Sequence, residues 1–115
     1  MRLLMHILKK NDKLNIDNRK IGTIGIITKL NEEVREIEEE LIAYSRKANK
    51  KKLKCIIAET FDVFQVSILI LWRCHAEAKR YKEPDLVQEV NLQHKDKLIG
   101  RGWEIETGIE IEVKR

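Results

Sequence analysis

The sequence predicts an all-α fold, an antiparallel helical bundle, on three observations. Apolar residues recur at spacings of three and four over two long stretches, which is the period of one helical face. The chain contains one Pro and five Gly, too few for a fold of many short strands and turns. Its 115 residues, 43% of them hydrophobic, match the usual size of one domain. We therefore predict a single domain over residues 1–115.

The first long helix is predicted from about Ile21 to Ala48. Its apolar face carries Ile24, Ile27, Leu30, Val34, Ile37, Leu41 and Tyr44, at the spacing of successive helical turns. Residues 1–20 are ambiguous: Leu3, Leu4, Ile7 and Leu8 fit a short amphipathic helix, and a polar turn follows. The core of the domain is therefore expected at about residues 21–103.

The second long helix is predicted from about Lys51 to Arg73 or beyond. The Lys-rich segment Lys47–Lys54 predicts a chain reversal, which would make the two helices antiparallel. Val63 to Trp72 is apolar nearly all round and must be covered from more than one direction, but it is shorter than the roughly 20 residues that cross a bilayer. We expect a homodimer or homotetramer and no membrane partner.

A third helix and a C-terminal tail complete the chain. Pro84 and Asp85 suit the first turn of a helix, and Gly100 or Gly102 suits its end. Residues 104–115 form the tail, in which Ile105, Thr107, Ile109, Ile111 and Val113 occupy alternate positions among mainly acidic residues. This period of two predicts a short β-strand.

Charge and cysteine content indicate the binding partners and the cellular location. The net charge is +4 and the pI about 9.1, but the acids of Glu32–Glu40 are separated from the bases of Arg46–Lys54. Local charge pattern therefore says more than net charge, and we expect no nucleic-acid partner. Cys55 and Cys74 form no CxxC pair, so a reducing cytoplasm is the expected location.

Two acids inside the apolar second helix are the main functional signal. Glu59 and Asp62 are the only acids between Cys55 and Trp72, and a carboxylate in an apolar setting needs a partner, a proton or a cation. Residues three apart share a helical face. The two carboxylates are therefore suited to hold one ion.

The first helix offers a second acidic pair, Glu33 and Glu36, beside its apolar face. In an antiparallel arrangement both pairs stand at similar distances from the turn, because each lies about 11 to 14 residues from it at about 1.5 Å per residue. Four carboxylates would then converge. Hard cations such as Mg²⁺ and Mn²⁺ prefer oxygen ligands, so Glu33, Glu36, Glu59 and Asp62 are the predicted metal ligands.

These residues carry a resemblance to a known family. KLNEEVREI, residues 29–37, followed by AETFDVF, residues 58–64, resembles the EExxE and ExxD motifs of the MazG-like, all-alpha nucleoside triphosphate pyrophosphohydrolases. HKDKLIGRGW, residues 94–103, resembles the basic segment at the end of some small members. The chain departs from many relatives at Thr60-Phe61, where they carry a small residue before the Asp, and this affects the pocket that selects the base.

The resemblance implies Mg²⁺-dependent hydrolysis, with Mn²⁺ as a substitute, of a nucleoside triphosphate to a monophosphate and pyrophosphate. It implies catalytic roles for Glu32 and Glu33, with Glu32 as an outer ligand or the base that orients water. Lys97 and Arg101 would meet phosphate charge, and Trp103 would stack on a base or sugar. Housekeeping of the nucleotide pool is the implied role.

Other interpretations stay open at this point. Exposed acidic runs usually pair with nearby Lys and Arg, Lys97 and Arg101 would also suit the C-terminal end of a helix, and Trp103 would suit a packing role. A non-catalytic helical module that binds a protein or nucleic acid is the alternative from a different class. A related enzyme acting on phosphoribosyl-ATP or dUTP is the alternative within the resemblance.

Overall fold

The computed structural model describes residues 1–114, and three helices dominate it: α1 at Thr23–Arg46, α2 at Lys50–Arg80 and α3 at Leu86–Gly100. The predicted all-α class is confirmed. Both ends of α1 lie within two residues of the prediction. The second helix does continue beyond Arg73, by seven residues.

A three-residue turn makes α1 and α2 an antiparallel hairpin, as predicted. The Asn49 side chain accepts a hydrogen bond from the Lys52 backbone N–H at 2.9 Å and so caps the start of α2. At the end of α1 the Ala43 carbonyl accepts from the Lys47 backbone N–H at 3.2 Å and from Lys52 Nζ at 3.3 Å. The turn thus satisfies backbone groups of both helices.

The hairpin seam consists of residues spaced three and four apart on each helix. The half-buried positions include Ile26, Leu30, Glu33, Ile37, Glu40 and Tyr44 on α1 and Lys52, Cys55, Glu59 and Arg73 on α2, where Val66 and Leu69 continue the seam. Only Val66, Leu69 and Ala78 are buried among the described residues. The core of one chain is therefore small.

Left-handed residues end the second and third helices. Lys82 has φ 62°, and the Glu83 N–H donates to the Ala78 carbonyl at 3.0 Å. Gly102 has φ 92°, and the Trp103 N–H donates to the Leu98 carbonyl at 3.1 Å. Both are the six-to-one bond of a helix C-cap, and the predicted stop at Gly102 is confirmed.

The two ends of the chain differ from expectation. Residues 1–9 form no helix; a small hairpin follows them, with β1 at Lys10–Asn11 antiparallel to β2 at Ile16–Asp17. The strand predicted in the tail is also wrong, since residues 103–114 contain no strand. An alternating sequence needs a neighbouring strand for its backbone hydrogen bonds, and the described chain supplies none to the tail.

α2 has a composition that also occurs in membrane-spanning helices. Over an 18-residue window its mean hydropathy is 1.7, and 11% of that window is buried within the chain. By length and composition alone, α2 is long and apolar enough to cross a membrane, although the core helix of a soluble protein meets the same criterion.

Candidate metal centre

The structure brings together four carboxylates from the two helices of the hairpin. One oxygen from each of Glu33, Glu36, Glu59 and Asp62 lies within 4.8 Å of the others. These are the residues that the sequence analysis selected as metal ligands. The cluster contains oxygen donors only, and it can hold a metal ion.

The four carboxylates meet because they lie at matching distances from the turn between α1 and α2. Glu36 lies about ten residues before the end of α1, and Glu59 about nine residues after the start of α2. At about 1.5 Å per residue, both stand about 14 Å from the turn. Glu33 and Asp62 each lie three residues further on, about one turn away, and so complete a second level.

Burial leaves two carboxylate oxygens without a partner. Glu33 and Glu59 are half-buried, whereas Glu36 and Asp62 are exposed. Oε2 of Glu33 and Oε2 of Glu59 are shielded from solvent and form no hydrogen bond. An unsatisfied buried acceptor is costly, and a bound cation would satisfy both.

Burial and mutual repulsion favour the protonated forms of the two inner acids. Burial raises the pKa of Glu33, and repulsion from Glu36 and Asp62 and hydrogen bonding to Glu36 act in the same direction, against the nearby Lys29. Burial also raises the pKa of Glu59, together with hydrogen bonding to Glu36 and the charges of Glu36, Asp62 and Glu33. Both shifts follow first from burial and then from the closeness of the other carboxylates.

No basic side chain of residues 1–114 forms an ion pair with the cluster. The ion pairs of residues 1–114 join Lys10 to Asp12, Arg19 to Asp17 and Arg80 to Glu77, all outside it. The alternative interpretation, in which the acids of Glu32–Glu40 pair with Lys and Arg, therefore does not apply to Glu33 and Glu36. Lys29 acts on Glu33 through its charge alone, so the four neighbouring carboxylates outnumber the positive charge near them.

The other predicted site residues do not join this cluster. Glu32 is exposed on α1 and points about 100° away from Glu33. Lys97, Arg101 and Trp103 lie at or beyond the end of α3, which contacts α2 and not α1, and Trp103 is 66% exposed. Within residues 1–114, no hydrogen bond or ion pair links these four to the acidic cluster.

Sequence reasoning missed three polar residues that line a cavity together with apolar side chains. Lys29, Asn18 and Gln65 line a cavity of about 20 Å³ between the N-terminal segment and the hairpin. Asn18 Oδ1 is buried there without a partner, and Gln65 Nε2 donates to the His6 carbonyl. The position of Lys29 near the acids could have been predicted, because it precedes Glu33 by four residues on the same helical face. Asn18 carried no such signal.

Comparison with family models, curated proteins and solved structures gave no match to this chain. The class of protein is therefore defined by its own geometry: an antiparallel helical hairpin with a four-carboxylate centre. The resemblance to the MazG-like family rests on the residues of this chain alone.

Proposed function

We propose that this chain is a Mg²⁺-dependent nucleotide pyrophosphohydrolase that acts in the cytoplasm on nucleoside triphosphates. The main observation that supports this proposal is the convergence of four carboxylates within 4.8 Å of one another. Two of them have a shielded oxygen that forms no hydrogen bond. Carboxylates of this number and hardness suit Mg²⁺ and Mn²⁺ rather than soft metals. The ordered motifs at residues 29–37 and 58–64 support nucleotides as the substrate.

The proposed reaction is hydrolysis between the α- and β-phosphates. A divalent ion supplies charge neutralisation of the phosphates and acidification of a bound water. Glu33, Glu36, Glu59 and Asp62 would hold the ion. Glu33 would also orient the attacking water, and Glu32 would be an outer ligand or the base that accepts the water's proton. The water oxygen bonds to the α-phosphorus, the bond to the bridging oxygen breaks, and pyrophosphate leaves.

Basic and aromatic side chains would bind the substrate. The charge of Lys29 acts on Glu33, and Lys29 would meet a phosphate that the ion holds. The nucleotide would also be contacted from outside the hairpin by Lys97, Arg101 and Trp103, because α3 contacts only α2. Lys29 should therefore affect phosphate binding whichever base the nucleotide carries.

Product analysis tests the proposal directly. The full chain is incubated with Mg²⁺ and each canonical and modified nucleoside triphosphate, with dUTP and phosphoribosyl-ATP included. We expect a monophosphate and pyrophosphate in equal amounts. Release of orthophosphate, or no product from any nucleotide, would overturn the proposed reaction.

A ligand variant ties turnover to the cluster. Asp62→Asn keeps the shape of the side chain but removes one anionic ligand, so turnover should fall by about 100-fold or more while the helical circular-dichroism signal is retained. Glu38→Gln is the matched control, since Glu38 is exposed on α1 outside the cluster. Full activity of Asp62→Asn would refute the assignment.

A further inference from the structure

The N-terminal segment, residues 6–18, is fastened to α2 at both of its ends. At its start the His6 carbonyl accepts a hydrogen bond from Gln65 Nε2. At its end the Asn18 carbonyl accepts a hydrogen bond from Arg73 Nη1 at 3.1 Å. Gln65 and Arg73 lie about 12 Å apart along the axis of α2, at about 1.5 Å per residue. The segment is therefore held along two turns of the helix.

Asn18 uses all of its polar groups but one to close this segment on itself and on α2. Its backbone N–H donates to the Lys9 carbonyl at 2.9 Å, and its side-chain Nδ2 donates to the Leu8 carbonyl at 3.2 Å. Turning the amide over would place Oδ1 against the Leu8 carbonyl, and two acceptors cannot bond to each other. The orientation of the amide is therefore fixed. Oδ1 is shielded from solvent and has no partner.

Lys29 brings a donor to the same place. Asn18 and Lys29 both line the cavity of about 20 Å³ between the segment and the hairpin. The Lys29 side chain is half-buried and forms no hydrogen bond or ion pair within residues 1–114. A shielded acceptor and a lysine without a bonded acceptor therefore border one small space.

The size and lining of this space suit one water molecule. A cavity needs about 10–15 Å³ to hold a water, and a buried water typically forms about three hydrogen bonds. The cavity meets the first requirement. Asn18, Lys29 and Gln65 supply polar groups for the second, and the rest of the wall is apolar. A water would donate to Asn18 Oδ1 and accept from the Lys29 ammonium group.

We propose that Asn18 is a positioning residue, which holds one water molecule in this cavity and through it keeps the Lys29 ammonium group beside Glu33. Lys29 precedes Glu33 by four residues on the same helical face. A lysine that is already held loses less rotamer freedom when it meets an anion, so it binds that anion more tightly. The consequence for phosphate binding rests on the proposed function, whereas the water site does not.

A high-resolution crystal structure of the full chain tests the water site directly. We expect one ordered water within roughly 2.7–3.2 Å of both Asn18 Oδ1 and Lys29 Nζ. A dry cavity would overturn the proposal, and so would a Lys29 side chain that points away from it.

Two variants of Asn18 separate its acceptor from its other contacts. Asn18→Leu and Asn18→Asp both lose the bond from Nδ2 to the Leu8 carbonyl, but only Asp keeps an oxygen for the water. Acetylation of Lys29 by acetic anhydride, followed by mass spectrometry of the metal-free chain, should be about 5-fold faster in Asn18→Leu and near the wild-type rate in Asn18→Asp. Lys51, which is exposed, is the internal reference. An unchanged rate in Asn18→Leu, or the same increase in both variants, would overturn the positioning role.

Turnover supplies the second readout for Asn18→Leu. KM for a nucleoside triphosphate should rise about 5-fold with little change in kcat, because Lys29 would bind phosphate alike before and during the reaction. A fall in kcat with KM unchanged contradicts the positioning role. If the wild type hydrolyses no nucleotide, the proposed function fails, but the crystal and acetylation results still decide the water site and the position of Lys29.

Discussion

Removing one carboxylate from the cluster should stabilise the protein without metal and remove most of its stabilisation by metal. Glu33→Gln is the most informative change, because Glu33 is half-buried, its Oε2 has no partner, and its neighbours are all acidic apart from Lys29. Gln retains the size of Glu but carries no charge. Without a cation the wild type therefore has one more source of repulsion than the variant.

The size of each effect follows from the distances. A charge within 4.8 Å of another is repelled by about 0.9 kcal/mol in bulk water. Glu33 has three such neighbours, but partial protonation and solvent screening reduce the sum, so we expect Glu33→Gln to gain about 1–2 kcal/mol, or about 4–8 °C in thermal midpoint. For the wild type, Mg²⁺ at a hundred times its dissociation constant adds about 2.7 kcal/mol, or about 10 °C.

The assay is thermal unfolding followed by circular dichroism, with chelator and with Mg²⁺, at one protein concentration near pH 8. If losing one ligand weakens binding about 100-fold, the variant gains only about 0.4 kcal/mol from the same Mg²⁺. The stability order of the two proteins should therefore reverse on adding metal. Glu38→Gln, which removes a charge from the same helix outside the cluster, should behave as wild type. A lower midpoint for metal-free Glu33→Gln, or equal Mg²⁺ shifts in both proteins, would refute the reasoning.

Two further predictions concern pH and backbone strain. The raised pKa values of Glu33 and Glu59 mean that the folded chain binds protons which the unfolded chain has released, so metal-free stability should fall as pH rises above the ordinary Glu pKa of about 4.3. Asp17, whose pKa is lowered to about 2 by its hydrogen bonds from Arg19, acts in the opposite direction and loses its contribution as pH falls below about 3.9. Thermal midpoints across the acidic and neutral range should thus pass through a maximum, and a metal-free midpoint that rises steadily to neutral pH would contradict this. Lys82→Gly should raise stability by about 0.5–1 kcal/mol in urea unfolding, because Lys82 has φ 62° and glycine adopts that conformation without strain; an unchanged or lower urea midpoint would contradict it.

The sequence was sufficient to predict the helices because their signals are local. Apolar spacing identified α1 and α2, and Gly102 marked the end of α3. The pairing of Glu33 and Glu36 with Glu59 and Asp62 was also predictable, although it involves two helices. A short turn between long helices leaves one register, so counting residues from the turn was enough to align the acids.

The remaining features depend on contacts that no local pattern encodes. Leu3, Leu4, Ile7 and Leu8 have helical spacing, but isolated helices of this length are marginal in water, and their segment instead lies against the hairpin beside Lys29 and Gln65. The tail alternates like a strand and finds no partner strand among residues 1–114. The cavity beside Lys29 and Gln65 arises only when residues distant in sequence meet, so Asn18 could not be assigned to it in advance.

The acidic residues occupy positions that the hairpin would otherwise use for packing. Glu33 and Glu59 lie in the seam, at the same spacing as Leu30, Ile37 and Val66. Replacing buried charged groups by apolar residues of similar volume is often neutral or stabilising, so these glutamates do not improve the metal-free fold. A chain with only three buried apolar residues in its described part has a small core to offset the free-energy cost of unpaired charge. A cation bound at the seam would therefore supply stability that the small core of the chain does not.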